Sequence, residues 1–329
     1  MMKKNLLLIL MCFVCGLVYA HDGLNFRNLD VKSGISDNYV RSVLRNRYGF
    51  MWFATLNGLN RYDGYQFKKY TTTQLGAYNN DIESIAEDAA GNIWIKGPVS
   101  YYIYDREQDK LENKIQPILN KYGITGEVSY LTVDKDYNLW CTVMDTLFHY
   151  DFTKNKLHTF QLPGKEKMQQ VVCRRSCAYL LFSNGEIARI DSNFQQIRPE
   201  TRRTLSSGLQ YNLYIDTVDR LWFYASHASG LQCYDTNQKQ WIDYIGGQEL
   251  TDALITAVMD DGDGNLWIGT DDKRSLYQLQ SRQAIGADKQ EIRESFFIGR
   301  QSYQLFFQRQ SEHHVGRNGQ TGSIFCRFG

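Results

Sequence analysis

The sequence lacks an excess of charge of either sign. Its 329 residues contain 37 lysines and arginines and 36 aspartates and glutamates, so the net charge is +1. A nearly neutral chain builds no long-range positive potential, and nucleic acid is therefore excluded as an expected partner. The hydrophobic content of 43% is enough for a sizeable core, which excludes global disorder.

Long hydrophobic runs are absent after the first twenty residues. Two lysines precede an apolar run over 6–18, which is too short to span a membrane comfortably, and the residues up to Ala20 resemble a signal-peptide cleavage site. We interpret 1–20 as a signal peptide and expect an exported, periplasmic chain that starts near His21 and has no membrane span. An N-terminal anchor helix is the alternative.

The chain also lacks a disulfide framework. Five cysteines remain after residue 20, and an odd number in an oxidising compartment argues against systematic pairing. Cys173 and Cys177 are close enough in sequence to pair locally. As zinc ligands they lack a second pair or a nearby histidine, so we predict no metal and no other cofactor.

Helical periodicity is absent, and a different pattern is present. Aromatic residues make up 14% of the chain and prolines number only 4, a composition that favours pleated strands over a helical bundle. A tryptophan recurs at spacings of 42, 46, 82 and 45 residues, at Trp52, Trp94, Trp140, Trp222 and Trp267. The spacing of 82 spans two units, and the intervening unit at 178–182 has Tyr or Leu in place of Trp.

Each unit predicts four short strands. The first strand alternates, the second carries the Trp and is almost continuously apolar, the third ends in Tyr-Asp, and the fourth is polar. Four strands per forty-odd residues predict the blades of an all-β propeller. We expect five whole blades, part of a sixth from Asp252, and an incomplete seven-bladed ring, with 21–272 as the propeller.

The turn and strand residues carry a family resemblance. The stretches 261–270 and 58–63 fit the pattern D-x-x-G-N-[IL]-W-I-G-T…G-L-x-x-Y-D, which resembles the two-component regulator propeller repeat. The opening, 26–64, resembles the start of the periplasmic sensor region of hybrid two-component systems. The resemblance covers about 22–272 and keeps one register through several units.

This resemblance implies a function. Such sensors detect oligosaccharides, and members continue into a second propeller, an immunoglobulin-like domain, a membrane span, a histidine kinase, a receiver and a DNA-binding helix-turn-helix, usually as homodimers. None of these later modules is recognisable here. We therefore expect a periplasmic module that binds an oligosaccharide-type ligand without catalysis and does not signal by itself. The alternatives are a secreted propeller enzyme, since a similar repeat occurs in antibiotic-inactivating lyases, and a protein-interaction platform.

Candidate ligand residues lie at one rim of the predicted propeller. Loops between second and third strands share an end with the connectors between blades, and loops on a rigid scaffold concentrate function. A tyrosine there offers an apolar face to a sugar ring, and asparagines offer partners to hydroxyl groups. The predicted set is Asn57, Tyr78, Asn79, Lys96, Asp145, His227 and Asp271.

Other tempting residues have structural interpretations. The recurring Trp is expected in the core, and the Asp of Tyr-Asp is expected to form turns. The run 261–265 resembles part of a calcium loop but lacks the glutamate expected at its twelfth position. His149 and His158 lie in strands without a carboxylate in a recognisable motif, so no catalytic residue is predicted. No serine-hydrolase elbow, phosphate-binding loop or H-E-x-x-H occurs.

The segment 273–329 does not continue the repeat. After Asp272 the expected third strand is missing, and the sequence becomes rich in Gln, Arg and Ser. We interpret this segment as the product of a shifted reading frame and expect it to be poorly packed. Residues 24–29 resemble the outer, fourth strand of a blade whose other strands must come from the far end of the chain, and the shifted segment leaves that strand without closing partners.

Reading the codons one nucleotide later tests this interpretation. The codons allowed for 313–318, shifted by one nucleotide, can encode T-M-W-V-G-T, the strand that a further blade requires. We predict that the coding DNA after Lys273 carries an open shifted frame with these codons. Stop codons throughout that frame, or the absence of the W-V-G-T codons, would show the interpretation to be wrong.

Overall fold

The strands that the structure describes group into six four-stranded sheets and one two-stranded sheet. The structure is a computed structural model, and it describes residues 26–164, 166–174, 177–191, 193, 196–202, 205–206, 209–225, 228–242, 254–260, 265–270, 276–280 and 325–327. The predicted signal peptide and most of the segment after Asp272 lie outside these residues.

The first four blades are antiparallel meanders in chain order, each starting at its inner strand. After the short strand β1 (Phe26–Asn28), the first blade contains β2 (Val40–Arg45), β3 (Met51–Thr55), β4 (Gly58–Tyr62) and β5 (Phe67–Tyr70). The second contains β6 (Ser84–Glu87), β7 (Ile93–Lys96), β8 (Tyr101–Asp105) and β9 (Lys110–Glu112). The third contains β10 (Val128–Val133), β11 (Leu139–Val143), β12 (Thr146–Asp151) and β13 (Lys156–Gln161). The fourth contains β14 (Met168–Arg174), β15 (Cys177–Phe182), β16 (Glu186–Ile190) and β17 (Ile197–Arg202).

The last two blades are linked by one short strand that the fifth blade supplies to the sixth. The fifth blade contains β18 (Tyr211–Ile215), β19 (Arg220–Ala225), β21 (Leu231–Asp235) and β22 (Gln240–Ile242). The sixth sheet consists of β20 (Ala228–Ser229), β23 (Leu254–Asp260), β24 (Asn265–Thr270) and β25 (Leu276–Gln280). Because β20 lies between β19 and β21 in the chain, the fifth blade supplies one strand of the sixth.

The propeller prediction is confirmed, with five whole blades and a sixth for which the described residues supply no fourth strand of its own. The described residues form six blades, so a seven-bladed ring stays a prediction. The expectation that no third strand follows Asp272 is wrong, since β25 pairs with β24 from Gly269–Leu276 to Asn265–Gln280. Pairing uses backbone groups, which Leu276–Gln280 provides without the G-L-x-x-Y-D sequence.

Two further elements differ from expectation. The strand β1 pairs in parallel with β26 (Phe325–Arg327), so it does have a partner, although that partner belongs to none of the six blades. The connector between the second and third blades contains a helix, α1 (Gln116–Lys121), which begins with Pro117 in its first turn. Its six residues are too few to show helical periodicity, which explains why the pattern did not predict it. Two short 3-10 helices, Val31–Ser33 and Thr73–Leu75, lie before the first blade and in the connector that follows it.

The core lies between neighbouring blades. The four tryptophans Trp52, Trp94, Trp140 and Trp222 are buried, as expected, and each packs against residues of the following blade. The side chain of Trp267 lies outside the description. In the fourth blade, Tyr179 takes the position of the Trp and joins the cluster shared with the fifth blade. Burying both faces of every sheet explains the continuous apolar second strands.

A buried aspartate fixes the tryptophan in three of the blades. The indole Nε1 of Trp94 donates to Asp88 Oδ2 over 2.8 Å, and Asp88 also accepts the backbone N–H of Asn92. The same contact joins Trp140 to Asp134 and Trp222 to Asp216. One carboxylate therefore closes the first turn and orients the core side chain of the next strand.

The aspartate of each Tyr-Asp pair forms a turn, as predicted. Asp63 Oδ1 accepts the backbone N–H groups of Tyr65 and Gln66, and Asp105 and Asp235 make the equivalent contacts in their blades. These side chains mimic a backbone turn between the third and fourth strands.

Cys173 and Cys177 are free and do not form the local disulfide that their spacing allowed. Cys173 pairs with Ala178 and Cys177 with Arg174 across the same hairpin. Adjacent cross-strand pairs point to opposite faces of a sheet, so the two thiols face different neighbouring blades. Cys141 and Cys233 are also free.

We predict that Asp88→Ala lowers the free energy of unfolding by about 2 kcal/mol or more, because it leaves the buried indole N–H of Trp94 without an acceptor. Equilibrium urea unfolding at neutral pH measures this loss. Asp105→Ala, which removes a turn acceptor nearer the surface, serves as the control and should cost clearly less. Equal losses in the two variants would contradict the role assigned to the buried contact.

Candidate functional site

The propeller has two ends with different loops. The end that we call the loop end carries the loops between second and third strands and the connectors between blades. The opposite end, the turn end, carries the turns between first and second strands and between third and fourth strands. The sequence predicted a ligand site at the loop end, and the structure also places a cavity at the turn end.

The connector between the first and second blades, which carries Asn79, lies against the loop that carries Asn57. Asn57 follows β3, and its Oδ1 accepts a hydrogen bond from Asn80 Nδ2 over 3.5 Å. Asn79 is the residue before Asn80, and its backbone carbonyl accepts a hydrogen bond from the Thr72 hydroxyl over 2.8 Å. Its side-chain oxygen accepts the backbone N–H of Asp81. Asn79 therefore lies on a braced part of the connector between the first and second blades, and Asn57 lies in the β3–β4 loop of the first blade, against that connector.

Tyr78 and Lys96 lie at the same side of the loop end. The side chain of Tyr78 is fully exposed, with an exposed fraction of 101%. Lys96 ends β7 and forms a 2.7 Å ion pair with Glu83. Beside them Asp81 pairs with Arg41 over 3.0 Å, and burial raises the pKa of the Asp81 carboxyl. An exposed ring beside paired charges is a surface to which polar ligands can bind.

The other predicted residues do not join this group. Asp145 lies in the third blade, where its backbone carbonyl accepts the N–H of Leu162, and no described contact links it to Lys96. His227 and Asp271 lie outside the described residues. The sequence analysis missed two apolar tips at the loop end, Val99 and Met144, with exposed fractions of 94% and 88%.

The cavity at the turn end lies between the third and fourth blades and has a volume of about 450 Å³. Its size is within the usual range for small-molecule sites. It is lined by the first turn of the third blade, by that blade's last turn, and by the hairpin of the fourth blade. The lining residues used below are Asp134, Asp136, Tyr137, His149, Asp151, Lys154 and Cys173.

Asp134 forms the buried part of this cavity. Its Oδ2 accepts the indole N–H of Trp140 over 2.8 Å, and its Oδ1 accepts the backbone N–H groups of Asp136 and Asn138. Burial raises the pKa of the Asp134 carboxyl, although the hydrogen bonds act in the opposite direction. Burial, together with this carboxylate, also raises the pKa of the Cys173 thiol, which is therefore not a reactive thiolate.

His149 lies next to this carboxylate, with its Nε2 3.9 Å from Asp134 Oδ2. Its ring stacks on Trp140 at 4.1 Å between centroids, and His158 stacks on its other side at 5.7 Å. Burial lowers the pKa of His149 to about 4, so the imidazole is neutral at neutral pH. Only 1% of its side chain is exposed, which keeps it from exchanging protons with a ligand in solution.

The sequence analysis found no recognisable motif that pairs His149 with a carboxylate, and the structure places the Asp134 carboxylate beside it. Cross-strand pairing sets His149 opposite Trp140, and the indole of Trp140 in turn binds Asp134. The signal was present as an aspartate six residues before the Trp and a histidine two residues before the Asp of Tyr-Asp. Reading it required the register of β11 on β12, which the sequence alone does not fix.

No group of three potential metal ligands lies together among the residues that the structure describes. The turn that resembles part of a calcium loop falls largely outside them, since only Asn265 of that run is described. No described helix is long and apolar enough to cross a membrane.

Comparison with known proteins supports the resemblance found in the sequence. Residues 249–272 match the model of the two component regulator propeller family. No curated protein matches the chain in a sequence search. The matched segment contains β23 and β24 of the sixth blade, where the repeat pattern is most complete.

Solved structures share the fold. The extracellular domain assigned to a hybrid two component system of B. thetaiotaomicron superposes with a TM-score of 0.57 at 20% identity, over 80% of this chain and 37% of that one. A domain assigned to a one component system of the same organism gives 0.52 at 22% identity, over 73% of this chain and 31% of that one. Virginiamycin B lyase from Staphylococcus aureus superposes with a TM-score of 0.52 at 14% identity, over 74% of this chain and 82% of that one. The chain thus spans about a third of the length of the first two.

We predict that stability falls between about pH 6.5 and pH 4 in part because of His149. The folded state holds its pKa at about 4, below the ordinary value of 6.5, so the unfolded chain binds the proton first and stability is lost as the pH falls through this window. The loss attributable to His149 is at most roughly 3 kcal/mol.

Urea unfolding at several pH values tests this assignment. His149→Phe, which can still stack on Trp140, should flatten the pH dependence of stability across the window. His158→Gln is the control, since His158 is more exposed and should change the slope less. Identical slopes in His149→Phe and the unmodified protein would refute the assignment.

Proposed function

We propose that this chain is the periplasmic, ligand-sensing propeller of a two-component regulatory system and that it recognises a carbohydrate-derived ligand without catalysis. The observation that carries the proposal is the match of 249–272 to the two component regulator propeller family, on a repeat whose pattern recurs in the preceding blades. The proposal extends to a longer protein that dimerises and signals through modules other than this propeller.

The loop end supports ligand binding in this proposal. Tyr78 presents an exposed ring, which suits stacking against the apolar face of a sugar. Asn57 and Lys96 stand nearby with groups that accept and donate hydrogen bonds to hydroxyls. Rigid blades beneath these loops limit the conformational entropy lost on binding.

A secreted lyase-like enzyme is the second candidate function. Its support is the fold shared with a lyase, which at 14% identity extends to the architecture alone. His149 lies beside the Asp134 carboxylate, but it is buried and is therefore poorly placed for proton transfer to a substrate. A sensor therefore accounts better for the arrangement.

A binding screen combined with a turnover assay separates the two candidates. Oligosaccharides of plant and host glycans are titrated into the protein by calorimetry, and each mixture is then analysed for products. Binding without product formation is the expected result. Product formation from any bound saccharide would reject the sensor in favour of the enzyme, and failure of the whole panel to bind would reject a carbohydrate ligand.

We predict that Tyr78→Ala weakens saccharide binding roughly threefold to tenfold, the loss expected for one aromatic stacking contact. Tyr65→Ala is a matched control, because Tyr65 is 93% exposed but lies in a turn at the opposite end of the first blade. Calorimetry with the tightest saccharide of the screen measures both. Equal effects of the two substitutions would remove Tyr78 from the site.

A further inference from the structure

At the first two junctions between blades, the first turns of neighbouring blades contact each other directly. Arg47, in the first turn of the first blade, donates to Glu87 and to the carbonyls of Asp88 and Ala89 in the second. Ala89 N–H donates to the carbonyl of Tyr137 in the third blade. These contacts fill the space between blades at the turn end.

The junction between the third and fourth blades is different, because the fourth blade has a shorter first hairpin. Five residues separate the first two strands of the third blade, whereas only two residues separate β14 from β15. Arg174 at this hairpin binds Asp219 of the fifth blade, so it does not turn towards the third. The blade whose repeat lost its Trp has therefore also lost the turn that fills this space elsewhere.

The side chain of a lysine in the third blade extends past the short hairpin of the fourth blade and reaches the fifth blade. Lys135 Nζ donates to the carbonyl of Ile215 over 3.4 Å and lies 4.8 Å from the ring centre of Tyr214, both in the fifth blade. A first turn of ordinary length in the fourth blade would occupy part of this path. The cavity of about 450 Å³ lies beside this short hairpin.

The charged residues that line this cavity indicate which class of ligand it can bind. Three carboxylates, Asp134, Asp136 and Asp151, line it among the described residues. Lys154 pairs with Asp151 over 3.1 Å, and Lys135 is directed to the fifth blade. The neutral, stacked ring of His149 adds no positive charge.

Aromatic and polar groups complete the lining. Tyr137 has an exposed fraction of 41%, and Asp136 is also exposed. An acceptor-rich cavity with an aromatic edge favours an ammonium group over an anion or an uncharged ligand. We infer that the cavity between the third and fourth blades binds a small organic cation carrying a primary ammonium group.

A pair of probes that differ in charge tests the inference. D-glucosamine and N-acetyl-D-glucosamine share a ring, and only the first carries an ammonium group. Calorimetry with the full chain at mildly acidic pH should show binding of glucosamine and at least tenfold weaker binding of the acetylated sugar. Equal binding of both probes, or binding of neither, overturns the inference.

Two substitutions with opposite expected signs locate the site. Asp136→Asn should weaken glucosamine binding about threefold to fivefold, the value of one partly exposed charge contact. Lys154→Gln should strengthen it about twofold or more, since it releases Asp151 from its ion pair. Loss of folding would weaken binding in both variants, so opposite signs identify the cavity. Glu107→Gln, exposed in the corresponding last turn of the second blade, is the control and should leave binding unchanged.

Restoring the repeat gives an independent test. Replacement of residues 175–176 by Asp-Ala-Ala-Gly-Asn, the sequence of 88–92, should fill the cavity and abolish binding of glucosamine. If this variant does not fold, the two point substitutions decide. Unchanged binding in the folded variant, or in Asp136→Asn, overturns the inference. The proposed saccharide site lies at the opposite end, so Tyr78→Ala does not affect this result and the two proposals fail separately.

Discussion

The hydrogen bond that a buried carboxylate accepts from the indole N–H of the following strand is the contact on which each regular blade depends. In the second blade Asp88 closes the turn through Asn92 and holds Trp94 in one orientation. The indole then fills the space against the third blade. A carboxylate removed from water costs free energy unless donors surround it, and here the turn and the indole supply those donors. Turn, strand and junction are therefore specified together.

The exception in the first blade shows what the contact contributes. Asn46 stands in the position of the aspartate and binds only backbone N–H groups, while Trp52 Nε1 has no hydrogen-bond partner there. Tyr70 and Tyr104 surround Trp52 instead, at 5.7 and 4.7 Å between ring centroids. Packing of aromatic rings can thus replace the acceptor at one junction, at the expense of an unsatisfied donor.

The sequence predicted what repeats and missed what does not. Six tryptophan-bearing or equivalent units predict blades because each unit obeys the same burial order, and the turn role of Asp63 follows from the same register. The cavity could not be predicted, because it depends on the length of one hairpin and on the strand pairing that sets His149 beside Trp140. The predicted rim came together only in part, since the loop of Asn57 lies against the connector that carries Asn79, while Asp145 belongs to another blade.

The strand that the fifth blade supplies to the sixth changes how these two units can come apart. Among the other described blades no strand of one blade pairs with a strand of the next, so one blade can in principle loosen while its neighbour stays intact. Between the fifth and sixth blades, backbone pairing of Ala228 with Ile255 and of Ser229 with Leu254 crosses the junction. Separating β20 from β23 must therefore also displace the loop between β19 and β21. The fifth and sixth blades therefore form one cooperative unit of local unfolding, and the slowly exchanging backbone amides of both should show the same free energy of opening in hydrogen exchange.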